Sequence, residues 1–347
     1  MKVEEYFEKK LENADNQHPL KIAYKDNNKY YKDFIKLLKD FNNNLTDKEM
    51  IELIDKLQLK SEFNQPKYLQ FASEITILYY ILRKYNCNFK YEPTYNGKKN
   101  PECSFEYRNR IINIEVKCPD LSSKIESDMN NNLKISYQGR VPSKLYNEAK
   151  ESVTYISNII NLEDSSYSGV EIEKRLDNKL KDYIISASEK FPKDENGYFN
   201  ILAISLDITK DLDDWYSYIF GYGGVFTDES FVNENYDNVD AILLINTQCG
   251  HIRWKEENEK DLWNLEEYIN LIFLNPKKVK NNEFYSEYAI SIFGDMTKKF
   301  LSYLKSLDEN NDNLGYGHLE KFIKFIEYNI KEISLISDFL NSLKSKN

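Results

Sequence analysis

Residues 101–117 read PECSFEYRNRIINIEVK, and this stretch decides the fold that we expect for the chain. Its two arms carry alternating apolar residues, which share one face of each arm: Cys103, Phe105 and Tyr107 in the first, and Ile112, Ile114 and Val116 in the second. Alternation of this kind predicts two β-strands with one apolar face each. The pair Arg108-Asn109 between them predicts a two-residue hairpin turn.

The register of this hairpin decides where its charged residues lie. With a two-residue turn, Tyr107 pairs with Arg110, and the same register places Glu102 directly opposite Glu115. Lys117 follows two residues later, on the same face as Glu115. Like charges opposite each other destabilise a pair of strands, so this arrangement needs a compensating cation. Mg²⁺ is one candidate, because it binds oxygen ligands and often uses one or two carboxylates. The alternative is a solvated hairpin face with an ordinary surface ion pair.

The segment before the hairpin, residues 68–85, is strongly apolar and predicts a helix. Between residues 71 and 82, Glu74 is the only charged residue. A buried carboxylate needs a metal ion, a basic partner or a proton, and the sequence leaves these three alternatives open. Glu74 is therefore a candidate for the same site as the two hairpin acids.

The residue patterns at both ends of the chain predict helical segments added to this core. Residues 1–62 are polar, with intermittent apolar residues at helical spacing that predict two or three short helices. Residues 281–347 predict a C-terminal helical segment, with helices at 284–307 and 319–343.

The α/β core is expected over residues 63–280. Within it, the polar stretch at about 119–170 is interpreted as an insertion that contains a helix at about 143–160. A helix over 171–191 and strands over 200–207, 239–246 and 268–274 complete the predicted core, because helix followed by strand is the α/β pattern.

Composition excludes several classes of protein. The 57 acidic and 47 basic side chains give a net charge of −10 at pH 7, which excludes a uniformly basic nucleic-acid coat. The longest aliphatic run, residues 241–245, is far shorter than the roughly 18–20 residues of a membrane-spanning helix. The four cysteines are too few and too widely spaced for a disulfide framework. With no signal-peptide pattern at the start, we expect a cytoplasmic protein without a membrane segment.

These motifs resemble those of the PD-(D/E)XK nuclease superfamily, which has the restriction-endonuclease-like fold. The resemblance consists of a helix bearing Glu74, a strand that opens with Pro101-Glu102, and a next strand that ends in Glu115-Val116-Lys117. It covers residues 65–118 well and continues more weakly through the helix at 171–191 and the strand at 200–207. It implies an α/β fold in which a mixed sheet is flanked by helices. The first strand acid is Glu where the family usually has Asp, which lengthens its reach by one methylene.

The resemblance also implies an activity. It implies an Mg²⁺-dependent nuclease, with Mn²⁺ able to substitute, that cuts nucleic acid, with DNA as the expected partner. Glu102, Glu115 and Glu74 would be metal ligands and catalytic residues, and Lys117 would serve the hydrolytic water. A role in restriction or in defence against foreign DNA is implied in the same way. A homodimer is one oligomeric state to consider.

Three further points stay open in the sequence. The family often places a polar or basic residue on the helix after the hairpin, where Lys179 and Lys190 are candidates, although a surface position is the simpler interpretation of both. A catalytically degenerate module that binds nucleic acid or a protein without cutting is the first rival. A purely structural protein is the second rival, and it predicts that the side chains of Glu102 and Glu115 point apart.

Overall fold

The computed structural model describes most of the first 275 residues of the chain. The described residues are 3–85, 88–95, 100–120, 132–135, 143–163, 169–172, 176–192, 197–207, 209–220, 223–227, 230, 238–257, 259–275 and 292–293. They belong to two compact units. The first unit comprises Met1–Cys118, Ala187–Thr209 and Asp237–Asn347, and the second comprises Pro119–Ser186 and Lys210–Tyr236.

The first unit begins with five helices. Their bounds are α1 Val3–Asn13, α2 Pro19–Lys25, α3 Lys29–Asn42, α4 Asp47–Lys56 and α5 Gln65–Lys84. Helix α4 begins at a capping box, in which the Thr46 hydroxyl accepts from the Glu49 backbone and the Glu49 carboxylate accepts from the Thr46 backbone. The prediction of two or three helices before residue 62 was wrong, because α1 to α4 are four separate helices. The breaks between them are short turns whose polar residues also serve as helix caps.

Helix α5 confirms the helix predicted from the apolar segment. It begins with Pro66 in its first turn, and the Asn64 side chain accepts a hydrogen bond from the Lys67 backbone. Almost every residue from Tyr68 to Leu82 is buried, so the helix is enclosed on all sides. Glu74 lies in the middle of this buried stretch.

A six-stranded mixed sheet forms the centre of the first unit. Its strands are β1 Lys90–Tyr91, β2 Cys103–Tyr107, β3 Arg110–Lys117, β6 Tyr198–Ser205, β7 Ala241–Ile245 and β8 Asn270–Leu274, in the order β1-β2-β3-β6-β7-β8. Strands β3, β6 and β7 are parallel to one another, and the remaining pairs are antiparallel. A short helix, α9 Thr247–Ile252, follows β7. The predicted α/β class with a mixed sheet flanked by helices is confirmed.

The hairpin of β2 and β3 has the predicted register. Tyr107 pairs with Arg110, and Cys103 pairs with Ile114. The turn residues Arg108 and Asn109 have φ values of 48° and 61°. Both values lie in the left-handed region, which the two-residue turns favoured in hairpins require. The local sequence therefore fixes which residues face each other.

Both faces of strand β3 are covered, which the alternating pattern did not predict. Ile112, Ile114 and Val116 are buried, as expected, but Asn113 and Glu115 on the opposite face are buried as well. Side chains remote in sequence lie against this second face: Asn200 beside Asn113, and Lys190 beside Glu115. The Asn113 amide satisfies its buried position by donating to Asn200 Oδ1 of β6 at 2.8 Å.

One hydrophobic core joins the N-terminal helices to the sheet. Leu53 and Ile54 of α4, Ile75 of α5, and Ile114 and Ile201 of the sheet belong to the same cluster of buried side chains. Burial of this continuous apolar surface holds α1 to α4 against the rest of the first unit.

The second unit contains a two-stranded parallel sheet and helical segments. The strands β4 Asn132–Ile135 and β5 Gly169–Ile172 pair in parallel, and helix α6 Ser143–Glu163 lies between them in sequence. This order forms a β-α-β unit. Most of α7 Asp177–Lys190 and of α8 Thr209–Phe220 also belongs here, and the rings of Tyr183 and Trp215 stack with centroids 6.1 Å apart.

Other sequence predictions concern helix and strand positions. The helices expected at 143–160 and 171–191 correspond to α6 and α7, and the three later strands correspond to β6, β7 and β8. The helices predicted at 284–307 and 319–343 lie outside the described residues, apart from residues 292 and 293. No helix in the described part of the chain is long and apolar enough to cross a membrane.

Candidate functional site

Seven charged side chains of the first unit meet where the hairpin, α5 and α4 come together. This charged cluster consists of four carboxylates and three ammonium groups: Glu74, Glu92, Glu102, Glu115, Lys56, Lys117 and Lys190. It contains all four site residues predicted from the sequence. Lys56, Glu92 and Lys190 are additions that the structure makes to that set.

The two hairpin acids lie on either side of one lysine. Lys190 Nζ is 2.7 Å from Glu115 Oε1, 2.9 Å from Glu115 Oε2 and 3.4 Å from Glu102 Oε1. Glu102 adjoins the first residue of β2, and its backbone donates to the Ile114 carbonyl at 2.9 Å. The side chains of Glu102 and Glu115 therefore converge on a common point instead of pointing apart.

Glu115 is the most enclosed carboxylate of the cluster. Its side chain is 0% exposed, so the alternative of a solvated hairpin face is wrong for this residue. Lys117 Nζ lies 2.8 Å from Glu115 Oε1, on the same face of β3. Burial, and then the neighbouring Glu102 carboxylate, raise the pKa of Glu115, while the two lysines act in the opposite direction.

Lys190 corrects an interpretation made from the sequence. A surface position was the simpler interpretation of this lysine, but its side chain is only 18% exposed and contacts both hairpin acids. Burial by itself would lower the pKa of Lys190, but Glu115 and Glu102 raise it above its ordinary value. The ammonium group is therefore charged at neutral pH. Lys179, the other candidate, belongs to the second unit.

Lys56 forms a second meeting point of carboxylates. Its Nζ lies 2.5 Å from Glu92 Oε1, 3.1 Å from Glu74 Oε1 and 3.6 Å from Glu102 Oε2. It also lies over the rings of Phe71 and Tyr91, at 5.8 and 5.2 Å from their centroids. Three carboxylates and two aromatic faces thus surround one ammonium group.

Glu74 takes one of the three alternatives that the sequence left open. Its side chain, 8% exposed, pairs with a basic partner, Lys56. Burial, and then the charge of Glu102, raise the pKa of Glu74 well above its usual range, and Lys56 opposes this shift. Lys56 itself has a raised pKa, because the surrounding acids outweigh the effect of its burial. Burial therefore favours a proton on Glu74, and the charge of Lys56 favours its ionised form.

A layer of neutral polar groups lies at the ends of the parallel strands, close to Glu74. The Ser205 hydroxyl donates to Ser73 Oγ at 3.0 Å and lies 2.6 Å from Thr247 Oγ1. The Gln248 amide donates to Cys118 Sγ and, at 3.3 Å, to the Ser205 carbonyl. Burial raises the pKa of Cys118 to about 12, so it stays a thiol. These contacts fix the end of β3 without adding charge to the cluster.

The donor atoms of the hairpin acids suit a hard divalent cation. Carboxylate oxygens are the ligands of Mg²⁺ and Mn²⁺, and two carboxylates with substrate oxygens form a common ligand set. Glu115 Oε1 is buried and lies 2.7 Å from Lys190 Nζ and 2.8 Å from Lys117 Nζ. A metal ion bound at this oxygen would therefore replace an ammonium group. Glu102 and Glu115 fit the ion that the resemblance implies.

Two lysines of the charged cluster lie between its carboxylates. Among the described residues, no three His, Cys, Asp or Glu side chains converge closely enough to hold a metal by themselves. In the charged cluster, the ammonium groups of Lys56 and Lys190 lie between the carboxylates instead. Glu74, predicted as a third metal ligand, contacts Lys56.

Two of the cluster residues that were missed, Lys56 and Glu92, have only weak signals in the sequence. Lys56 lies three residues after the buried Leu53 on α4, at the edge of its apolar stripe, but many lysines of this chain stand beside apolar residues. Glu92 follows strand β1 and has a φ of 44°, which sequence alone does not indicate. Its backbone donates to the Glu102 carbonyl at 3.0 Å, which keeps the two acids adjacent.

Comparison with known proteins adds no family to this geometry. The chain matches no family model, no curated protein and no solved structure. The functional proposal therefore depends on the contacts of the charged cluster and on the motifs described above.

Proposed function

We propose that this protein is a metal-dependent nuclease that hydrolyses phosphodiester bonds, with DNA as the expected substrate. The observation that carries the proposal is the convergence of Glu102 and the buried Glu115 on one cation position, with Lys117 alongside. Opposed carboxylates with a lysine beside them form a costly arrangement in a sheet, and metal-assisted hydrolysis gives each of them a role.

The order of the elements supports the restriction-endonuclease-like core that we propose for the first unit. A helix with a glutamate, α5, precedes the hairpin of β2 and β3, and α7 leads to β6, which is parallel to β3. This is the succession of helix, strands, helix and strand that the resemblance requires. The same proposal includes a role in restriction or in defence against foreign DNA. It also includes assembly as a homodimer.

Each hairpin residue has a distinct task in the proposed reaction. When bound by Glu102 and Glu115, Mg²⁺ would supply a Lewis acid that polarises a phosphoryl oxygen. Lys117 would orient the attacking water and stabilise negative charge on the phosphoryl oxygens. Lys190 would offset part of the negative charge of the two acids before a metal ion binds.

A second candidate function is favoured by one specific contact. Lys190 bridges Glu102 and Glu115, so the two acids already have a cation. If this ion pair is permanent, the site has no need of metal, and the unit would bind nucleic acid or a partner protein without cutting. Metal affinity separates the two candidates.

The first test is a calorimetric titration of Mn²⁺ into the full chain and into Glu115→Ala. We expect saturable binding that disappears in the variant, because Glu115 supplies the buried carboxylate. Glu106→Ala is the matched control, since Glu106 lies in the same hairpin but pairs with Asn88, at 2.6 Å, outside the charged cluster. It should bind Mn²⁺ as the wild type does.

The outcomes distinguish the two candidates. Binding that requires Glu115 supports the nuclease and justifies a screen of single-stranded and double-stranded DNA and RNA substrates. Absence of binding in the wild type, repeated in the presence of a DNA duplex that supplies phosphate oxygens, would refute the metal-dependent nuclease and favour the non-cutting module.

A further inference from the structure

The charged cluster offers two cation positions that share one carboxylate. Glu102 directs Oε1 to Lys190, at 3.4 Å, and Oε2 to Lys56, at 3.6 Å. A carboxylate that bridges two cations is also a common feature of two-metal sites, whose ions lie roughly 3.5–4 Å apart. In this chain an ammonium group lies at each position, Lys190 at one and Lys56 at the other. The surroundings of the two lysines differ.

Lys190 is held by fewer groups than Lys56. Among the described residues its ion pairs are with the two hairpin acids, and it donates to Glu115 Oε2 at 2.9 Å and to Glu102 Oε1 at 3.4 Å. A divalent ion has twice its charge and binds the same oxygens at shorter distances. A metal ion at the position between Glu102 and Glu115 would therefore displace the Lys190 ammonium group.

Lys56 is held by more groups than Lys190, and these groups suit a fixed ammonium, although its side chain is 35% exposed. Three carboxylates lie within 3.6 Å of its Nζ, and the centroids of two aromatic rings lie 5.2 and 5.8 Å from it. Aromatic faces attract an ammonium group but supply no oxygen to a hard metal ion. The stem of the lysine extends from α4, whose Leu53 and Ile54 are anchored in the core. Loss of Lys56 from this position would leave the buried Glu74 without its basic partner.

We propose that Lys56 is a permanent cation of the site, which takes the place of a second metal ion. A nuclease built on these residues would then use one divalent ion, between Glu102 and Glu115, and Glu74 and Glu92 would serve the lysine. The N-terminal helices thereby contribute a positioning residue to the reaction centre. This inference rests on the proposed function, because it concerns the number of ions at the same site.

The test counts the Mn²⁺ ions bound per full-length chain, from the electron paramagnetic resonance signal of the unbound ion during a titration. We expect one ion for the wild type and two for Lys56→Gln, in which a neutral amide still donates to Glu74 while the cation position is vacated. Lys56→Arg retains the charge and should bind one ion. The double variant Lys56→Gln/Glu92→Gln loses a carboxylate of the vacated position and should return to one ion.

The possible results separate this inference from the proposed function. Two ions on the wild type would overturn the single-ion inference and leave the nuclease proposal standing. No ion on the wild type, with or without a DNA duplex, would remove the nuclease proposal itself. One ion on both the wild type and a folded Lys56→Gln, as judged by circular dichroism, would also overturn the inference. If Lys56→Gln does not fold, the wild-type count decides: one ion supports the inference and two ions refute it.

Discussion

The hairpin of β2 and β3 and the helix α4 supply charge to the same site by different means. Glu102 and Glu115 meet because a two-residue turn fixes the register between neighbouring strands. Lys56 reaches Glu102 only because α4 packs into the same core as the sheet, with all of α5 lying between them in sequence. The comparison teaches that local geometry brings together Glu102, Glu115 and Lys117, whereas long-range packing brings Lys56 to them.

The largest expected effect comes from the hairpin lysine. Lys117→Ala should lower the rate of cutting by about 10²–10⁴-fold, the range for loss of a group that assists proton transfer. Mn²⁺ affinity should remain close to that of the wild type, because the carboxylates are retained. Single-turnover cleavage of a DNA substrate, together with the calorimetric titration, measures both quantities.

The matched control is Lys67→Ala, since Lys67 is exposed in the first turn of α5 and is absent from the charged cluster. Cutting by Lys117→Ala at the rate of this control would refute the role of Lys117, whatever the metal affinity.

Acid should destabilise the protein through His18 in the N-terminal helices. His18 Nε2 lies 2.9 Å from the carbonyl of Leu57, at the end of α4 that carries Lys56, and burial lowers the pKa of His18 to about 4. The folded state favours the neutral form of His18. The stability that this histidine contributes is therefore fully present above pH 6.5 and is lost as the pH falls from 6.5 through about 4. At 1.36 kcal/mol per pKa unit, the loss is about 3 kcal/mol.

Urea unfolding of the wild type and of His18→Asn between pH 7 and pH 4 checks this prediction. Asparagine keeps the helix cap that His18 Nδ1 provides to the Leu20 backbone, but it does not titrate. The variant should lose less stability on acidification, with a remainder from the buried His251, whose pKa burial lowers to about 3. Equal losses in both proteins would contradict the assignment to His18.

A substitution in the hairpin turn should have a smaller effect on stability. Asn109 has a φ of 61°, a conformation that asparagine tolerates and a β-branched residue does not. Asn109→Val should lower the free energy of unfolding by about 1–3 kcal/mol. Asn109→Gly, which accepts positive φ without strain, is the control and should stay within about 1 kcal/mol of the wild type. Thermal unfolding of the three proteins gives the comparison, and equal stability of the two variants would refute the proposed strain.

The smallest expected effect is at the start of α4. Thr46→Ala removes the hydroxyl that caps this helix and should cost about 1 kcal/mol in the free energy of unfolding. Thr46→Ser keeps the capping oxygen and should cost less. Chemical denaturation resolves the difference, and a Thr46→Ala protein as stable as Thr46→Ser would show that the cap contributes nothing measurable.

Particular residues show how far sequence reasoning reached. The register that places Glu102 opposite Glu115 could be predicted, because side-chain alternation and turn length are local properties. Burial of Glu115 could not, because one of the groups against its carboxylate is Lys190, which follows the segment Pro119–Ser186 of the second unit in the chain. Lys190 was interpreted as a surface lysine for the same reason: its partners are on strands remote in sequence.

The sequence by itself determined the buried helix α5 with its single carboxylate, the hairpin and its register, and the α/β class, since each follows from periodicities and turn preferences within short segments. The tertiary structure decided which cations meet the carboxylates. Lys56 and Lys190 lie on helices whose surfaces carry other lysines, and spacing does not distinguish one from another. Contacts within the first unit, which includes the end of α7 from Ala187, select these two, because a buried acid lies within hydrogen-bonding distance of each.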